Sequence, residues 1–517
     1  MFLKKDTLIA FYDLESGCNS FNFYIFLTRA LIERTKYSFS NLHIVFVPPK
    51  INGYPNGWTL FDQDQYAWRL NQLLVPLALG FSESAGVTVL SKREEALKFF
   101  DNCEKINCFP ENYHPEHNSF MPIGLKHNES LVSPLIPRTD QALKWVKEWK
   151  SKITSKKQKL ICINLRNSGY QSERESNLEN WIRFARSLDE EKYKVVFIPD
   201  TNNCLSYDTR LSQYEVVPSA SINIELRFAI FRNSHVVLGV NSGPLTLCRC
   251  NNIPCIIYNP CLSTVGWDTF EEQEFLPGTE GQFQKSPHIK MIWEQDQEEV
   301  LKDSFTEYEN QIDGKKSRFR EIHKLAKQAI AKGDILKSRL YSSLLISFYP
   351  ERYESWLIRI KVLLHNKCYR ELFITTAGAK KFHQDILKLL FNSSAVINTG
   401  IKSFLSFYIM NFPKWKQLCT INKSVIKNQK IIIFGTGKNA IHTYNLINSV
   451  TDIIGWCDNN PNKKGHTLNN KTIFSPHEIK EIKADLIIIS SMYATDIFFQ
   501  LVELGFASNR IKIFDNY

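Results

Sequence analysis

The chain has 517 residues, 43% of them hydrophobic and 23% charged, which is a globular composition with length for roughly three to four domains at about 100–200 residues each. A formal net charge of +11, spread along the sequence, permits anionic lipid, nucleic acid or phosphorylated substrates as partners and selects none of them. No run approaches the ~18 apolar residues of a membrane span, MFLKKDTLIAFYDLESG is too weakly apolar for a signal peptide, and scattered cysteines within apolar patterns read as reduced thiols, so a cytoplasmic protein is expected.

In chain order, LIAFYDL (8–14), LHIVFVP (42–48) and GVTVLS (86–91) predict strands, with amphipathic helical patterns after the first and third. A basic stretch, KEWKSKITSKKQK (147–159), precedes a second set: LICINLR (160–166), YKVVFIPD (193–200), YEVVP (214–218), VVLGVN (236–241) and CIIYN (255–259). Uncharged β-branched runs between helices mark parallel strands covered on both faces, so two tandem α/β domains are predicted, over 1–150 and 151–312. Residues 317–420 carry almost no strand pattern and predict consecutive helices, punctuated at KGD (332–334) and YPE (349–351). From 428 onward, KIIIFGTGKNAIHTYNLI predicts strand, glycine turn and helix, and IIGWCDNNPNKKG a second strand ending at Asp458. ADLIIISS (484–491) and IKIFDNY (511–517) supply later strands of a small Rossmann-like unit over 428–517.

Two glycine turns carry chemistry. In HVVLGVNSGPLTL, Asn241 and Ser242 are candidate helix caps, Gly243 allows close approach of a ligand to the backbone, and Pro244 suits a first helical turn. At the carboxyl end of a parallel strand such a turn offers free N–H groups to an anion such as a diphosphate; a well-capped strand–helix junction is the alternative. LICINLRNSGYQSERESN brings Arg166 to the end of a buried strand and Arg174 into the same loop, each able to fork onto a phosphate. For Arg174 a surface ion pair with Glu173 or Glu175 is the other reading. Glu225 opens a later helix, where it can hold a sugar hydroxyl or simply complement the helix start.

Asp13 and Glu15 follow the first strand as candidate general bases, unranked by sequence and also common turn residues. The loop 48–66, rich in Gly, Pro and aromatics, is a candidate acceptor wall or a plain surface loop. In FGTGKNA, Gly435, Gly437 and Ala440 stand at G-x-G-x-x-A spacing, with Asp458 about 20 residues on, the pattern of a nucleotide or dinucleotide site. Cys103, Cys108, His114 and His117 are spaced more loosely than a structural zinc site, and Cys248, Cys250, Cys255 and Cys261 fall on different predicted elements, so no metal is expected. The lysines at 152–159 lack interleaved aromatics, and no nucleic acid is expected.

HVVLGVNSGPLTL, followed by an apolar strand after N-x-P, resembles the donor-side motif [D/N]-S-G-P-x-H-x-A of GT-B glycosyltransferases, in the heptosyltransferase-like and surface-polysaccharide group. It matches at Asn241, Ser242, Gly243 and Pro244, while Thr246 stands where that group often has histidine. Within 315–425, roughly 60 residues resemble a degenerate tetratricopeptide (TPR-like) pair through Ala326, Ala329, Gly333, Asp334, Tyr341, Pro350 and Trp356, a plain helix–turn–helix spacer being the other reading. GWCDNNPNKKG and SPHEI make the last block similar to nucleoside-diphosphate-sugar epimerase-like domains, without a Tyr-x-x-x-Lys. The fold implied is α/β: two Rossmann-like GT-B domains, an α-helical TPR-like segment and a small C-terminal Rossmann-like domain.

The activity implied is transfer of a sugar from a nucleotide-sugar donor to a surface-glycan acceptor, in bacterial lipopolysaccharide, capsule or glycoprotein synthesis. The enzyme would be cytoplasmic or peripheral to the inner membrane. The resemblance puts the donor diphosphate over Ser242 and Gly243, requires no cofactor for transfer, and assigns a nucleotide sugar or NAD(P) to the C-terminal domain. Alternatives are a non-catalytic nucleotide-sugar-binding scaffold that recruits protein partners through the helical segment, and an NAD(P)-dependent nucleotide-sugar-modifying enzyme acting through Gly435 to Asp458.

Overall fold

A computed structural model describes residues 6–17, 19–50, 63–81, 84–101, 107–111, 113–116, 140–169, 172–259, 288–315, 317–366, 368, 371–372, 375–376, 378–379, 383, 426–491, 494–507 and 510–513. The chain is mixed α/β with parallel sheets and divides into two compact units, the boundary in the described chain following Pro350.

The first unit holds two sheets. Strands β1 (Thr7–Asp13), β2 (Asn41–Val47), β3 (Ser84–Val89) and β4 (Cys108–Phe109) pair in parallel in the order β3-β2-β1-β4. All seven residues of β1 are buried, and the helix Asn22–Lys36 lays Phe23 and Phe26 against Tyr12, with ring centroids 4.8 and 4.9 Å apart. Each such ring contributes about 1.5–3 kcal/mol through burial.

The second sheet is built from β5 (Lys159–Asn164), β6 (Tyr193–Ile198), β7 (Glu215–Val216), β8 (Val236–Val240), β9 (Cys255–Tyr258) and β10 (Ile289–Ile292). Its order is β10-β9-β8-β5-β6-β7, all parallel. The chain enters at the centre on β5, winds outward to β7, and returns on the other side of β5 as β8. In an open parallel sheet that reversal leaves a crevice at the strands' carboxyl ends. β10 escaped sequence reading because Lys290 interrupts its apolar run; in the fold this lysine is buried and lays its ammonium over the Phe348 ring at 5.2 Å.

The helices Phe319–Ala331 and Ile335–Phe348 form a hairpin that turns at Gly333 (φ 68°), where Asp334 caps the second helix by accepting from Lys337 N–H at 3.1 Å. The second helix docks on β10: Ser343 Oγ accepts from Trp293 N–H at 2.9 Å, and Ser347 Oγ donates to the Met291 carbonyl at 2.6 Å. Serines on its inner face let the helix approach the edge strand closely. This hairpin belongs to the first unit and the helix Tyr353–His365, with Trp356 fully buried, to the second. Residues 384–425 lie outside the described residues.

The second unit contains β11 (Lys430–Phe434), β12 (Asp452–Cys457), β13 (Thr467–Leu468), β14 (Lys471–Phe474), β15 (Leu486–Ile489) and β16 (Ile511–Ile513), in the order β13-β14-β12-β11-β15-β16. Among the described residues, only the β13–β14 pair of this sheet is antiparallel. Ile431, Ile433, Ile447, Trp456 and Ile488 form its core, and Tyr444 stacks on Trp456. Among the described residues of the whole chain, no helix is long and apolar enough to cross a membrane.

Candidate functional site

The reversal point of the second sheet lies between β5 and β8. Beyond β5, Arg166 is buried and donates from Nη1 to Glu175 Oε1 at 3.0 Å. The N–H of Ser168 reaches the same carboxylate at 3.0 and 3.1 Å, and that of Gly169 (φ 71°) at 3.1 Å. The N–H of Asn167 goes instead to Asp200 Oδ2 at 3.1 Å. The short 3-10 turn Ser172–Arg174 then crosses toward β8, where Arg174 donates to the Asn241 carbonyl from Nη2 at 2.6 Å and Nε at 3.3 Å. Asn259, after β9, holds the same turn by donating to the Glu173 carbonyl at 2.8 Å. The ion pair considered for Arg174 thus belongs to Arg166, and Arg174 is aimed at the Asn-Ser-Gly turn.

In that turn the Asn241 N–H closes the strand onto the Tyr258 carbonyl at 2.8 Å. The carbonyls of Ser242 and Gly243 accept from Leu245 at 3.1 Å and Thr246 at 3.0 Å, which consumes acceptors and leaves donors over. Among the described residues, the N–H groups of Ser242 and Gly243 find no acceptor. Ser242 is only 7% exposed, yet its Oγ also has no partner among them.

One expectation needs correction here. Pro244 itself takes the capping position of the six-residue helix Leu245–Cys250, which has no side-chain cap, so Asn241 and Ser242 are not caps. The protein itself comes close at Gly243, where a Cβ would lie 2.5 Å from Phe21 Cδ2, at the start of the helix that follows β1. The first sheet therefore leans on the turn through Phe21, and again through Tyr24, whose hydroxyl accepts from Asn251 Nδ2 at 2.7 Å. Thr246 is half-buried in the first turn of the helix. Glu225 begins the helix Ile224–Asn233 and lines a small apolar cavity with Tyr24, Leu77, Phe228 and Leu247.

The two candidate bases fare differently. Asp13 is 1% exposed and saturated: Arg93 donates at 2.9 and 2.5 Å, the Tyr113 hydroxyl at 2.9 Å and the Glu15 N–H at 2.9 Å. Burial alone would lower the pKa of Arg93, but pairing with Asp13 raises it on balance. Glu15 is half-buried in the loop that leads to Phe21, and its carboxylate accepts from the Lys50 N–H at 2.8 Å. Most of the candidate acceptor loop (51–62 of 48–66) lies outside the described residues.

In the second unit, Gly435 (φ 113°) lies at the reversal between β11 and β15, and a Cβ on it would meet the Ser490 carbonyl at 2.6 Å. Gly437 caps the helix Lys438–Ile447 with open space beside it, and Ala440 is fully buried. Asp458 is already engaged by the Thr436 hydroxyl, by Lys463 Nζ at 3.0 Å and by the Asn460 N–H at 2.9 Å, while Lys463 also donates to Thr436 Oγ1 at 2.8 Å. Burial works against the charge on Asp458, but these hydrogen bonds outweigh it and hold its pKa below the usual carboxylate range. Thr436 and Lys463 were not singled out from sequence; a hydroxyl inside the glycine turn and a lysine five residues after the acid were the available signals.

Among the described residues, no group of three His, Cys, Asp or Glu is placed to hold a metal ion. Cys108 is buried in β4 and His114 packs edge-on against Phe100, whereas Cys103 and His117 lie outside the described residues. Cys248, Cys250 and Cys255 are buried free thiols, and Cys261 also lies outside the described residues.

The family described as C2185-like, N-terminal matches residues 427–512, the sheet of the second unit. No curated protein matches the chain in sequence. The solved structures it is similar to include a glycosyl transferase family 9 protein of Veillonella parvula, at 13% identity over 50% of this chain and 81% of that one, with a TM-score of 0.34. Another is the ADP-heptose lps heptosyltransferase II of E. coli, at 9% identity over 49% and 84%, with a TM-score of 0.31. A third is the fucosyltransferase NodZ of Bradyrhizobium, at 13% identity over 48% and 94%, with a TM-score of 0.25.

Proposed function

We propose that the first unit is a GT-B-type glycosyltransferase that binds a nucleotide sugar at the reversal point of its second sheet and passes the sugar to a surface-glycan acceptor. The observation that carries this reading is the group of unused donors at the end of β8. Two consecutive backbone N–H groups and the buried Ser242 hydroxyl lack acceptors among the described residues, and Arg174 is held beside them. Donors fixed before the ligand arrives stabilise charge on a departing diphosphate without reorganising, which is where electrostatic catalysis gains most. The resemblance at Asn241 to Pro244 points to the same ligand.

In the proposed reaction a carboxylate takes the proton of an acceptor hydroxyl as its oxygen attacks the anomeric carbon, and the bond from that carbon to the diphosphate breaks. Glu15 is the better base. Asp13 has its lone pairs committed to Arg93 and Tyr113, while Glu15 stands in the loop that reaches over the Gly243 turn. Lipopolysaccharide, capsule and glycoprotein acceptors all remain within the proposal. For the second unit we propose nucleotide-sugar binding with a regulatory role. Hydride chemistry with NAD(P) is less favoured, because Lys463 and Thr436 occupy the carboxylate that would hold a ribose.

The test is a donor screen on the purified chain. ADP-heptose and GDP-fucose, which are named with the heptosyltransferase and NodZ structures, go first, and nucleoside diphosphate release and donor binding are both followed. Binding of one donor, weakened about tenfold or more in Arg174→Ala, is the expected outcome. Failure of the folded protein to bind any donor would overturn the reading.

A further inference from the structure

We infer that Glu175 is a built-in competitor for the anion that the loop after β5 holds, so that the phosphoryl group of a nucleotide ligand binds there by displacing it. This rests on the nucleotide-sugar reading above and concerns how that site is regulated.

The carboxylate of Glu175 sits in a cradle of four donors that are shared unevenly between its two oxygens. Arg166 Nη1 at 3.0 Å, Ser168 N–H at 3.1 Å, Gly169 N–H at 3.1 Å and Ser168 Oγ at 3.4 Å all converge on Oε1, whereas Oε2 receives only the Ser168 N–H at 3.0 Å. An ionised carboxylate has about four lone-pair sites shared between two oxygens, so four donors on one oxygen are poorly matched. A phosphoryl group presents three oxygens in a tetrahedral array and would spread the same donors. The successive N–H groups of Ser168 and Gly169, the latter in the left-handed region at φ 71°, form the kind of concave backbone nest that takes phosphates.

Burial separates the fixed part of the cradle from the movable one. The Arg166 side chain is 7% exposed and that of Glu175 22%. Exchange of one anion for another keeps this guanidinium beside a negative charge throughout and is the low-cost way to open the cradle. Glu175 also directly follows the turn Ser172–Arg174, which Arg174 ties to the Asn241 carbonyl. Affinity for the ligand is reduced by the fraction of molecules whose cradle is self-occupied.

Calorimetric titration of the full chain with ADP, GDP and UDP tests this, comparing the parent with Glu175→Gln and Glu175→Ala. If the cradle is filled by Glu175 in about nine molecules of ten, removing the charge tightens binding of the accepted nucleotide about tenfold. Unchanged or weaker binding in both variants, with the parent binding normally, overturns the competitor and leaves the donor reading standing. No binding of any of the three nucleotides by parent or variants, all folded by circular dichroism, overturns both. Should the neutral variants fail to fold, Glu175→Asp decides, because it keeps the charge but shortens the reach. An affinity gain of about two- to threefold is then expected, and no gain overturns the inference.

Discussion

Ser242 and Asp13 are both buried polar side chains at the carboxyl ends of strands, and their surroundings give them opposite work. The Ser242 hydroxyl has no partner among the described residues, and an unsatisfied buried polar group costs about 1–3 kcal/mol. Ser242→Ala is therefore expected to leave the thermal midpoint unchanged or higher, while nucleoside diphosphate binding by calorimetry weakens about fivefold to tenfold. A midpoint lowered by several degrees would mean that the hydroxyl is satisfied in solution and is not waiting for a ligand. Asp13 neutralises a guanidinium that is itself only 12% exposed. Asp13→Asn should cost about 3–5 kcal/mol in denaturant unfolding, because it strands that charge. Unchanged stability with collapsed turnover would instead make Asp13 the base. Both residues were legible as candidates from their place after an apolar run. Their roles were not, because Arg93 and Tyr113 are far away in sequence and arrive only through folding.

At the scale of elements, one carboxylate ties the helix Glu298–Ile312 to three strands of the second sheet, beside the Ser304–Tyr258 hydrogen bond at 2.8 Å. Glu309 accepts from His235 at 2.5 Å, Tyr193 at 2.6 Å and Lys159 at 2.9 Å, groups at or beside the starts of β8, β6 and β5. Burial favours the neutral acid, yet these hydrogen bonds outweigh it and hold the pKa well below the ordinary value of 4.5. A group with a depressed folded pKa contributes stability above its unfolded value and loses it as pH falls through the folded one. The stability gap between the parent and Glu309→Gln should thus be largest above pH ~5 and shrink steadily in more acid solution, as read from urea unfolding across pH. A gap that widens in acid would contradict this assignment. The helix itself was not among the elements legible in sequence. Neither was β10, since a strand carrying a lysine reads as surface until the Phe348 ring is seen beneath it.

At the scale of the whole molecule, the boundary after Pro350 predicts that residues 1–350 fold alone and bind the same nucleoside diphosphate as the full chain, because both sheets and the β5–β8 crevice precede it. A folded fragment without binding, in calorimetry against the full chain, would move the site to the second unit. The sequence by itself determined the alternation of strands and helices, the parallel character of the sheets and the two glycine turns. Those features are written in contiguous residues: uncharged β-branched runs, a Gly-Pro pair, a glycine spacing. Only the tertiary structure decided which residues meet at the turns. The winding reverses between β5 and β8, so Arg174 comes to the Asn241 carbonyl, Glu175 to the Arg166 cradle and Phe21 to Gly243, and the helical hairpin joins the first unit rather than standing apart. Partners brought together by a sheet's winding leave no periodicity in the chain, and that is why composition and spacing marked the turns but not the residues that meet there.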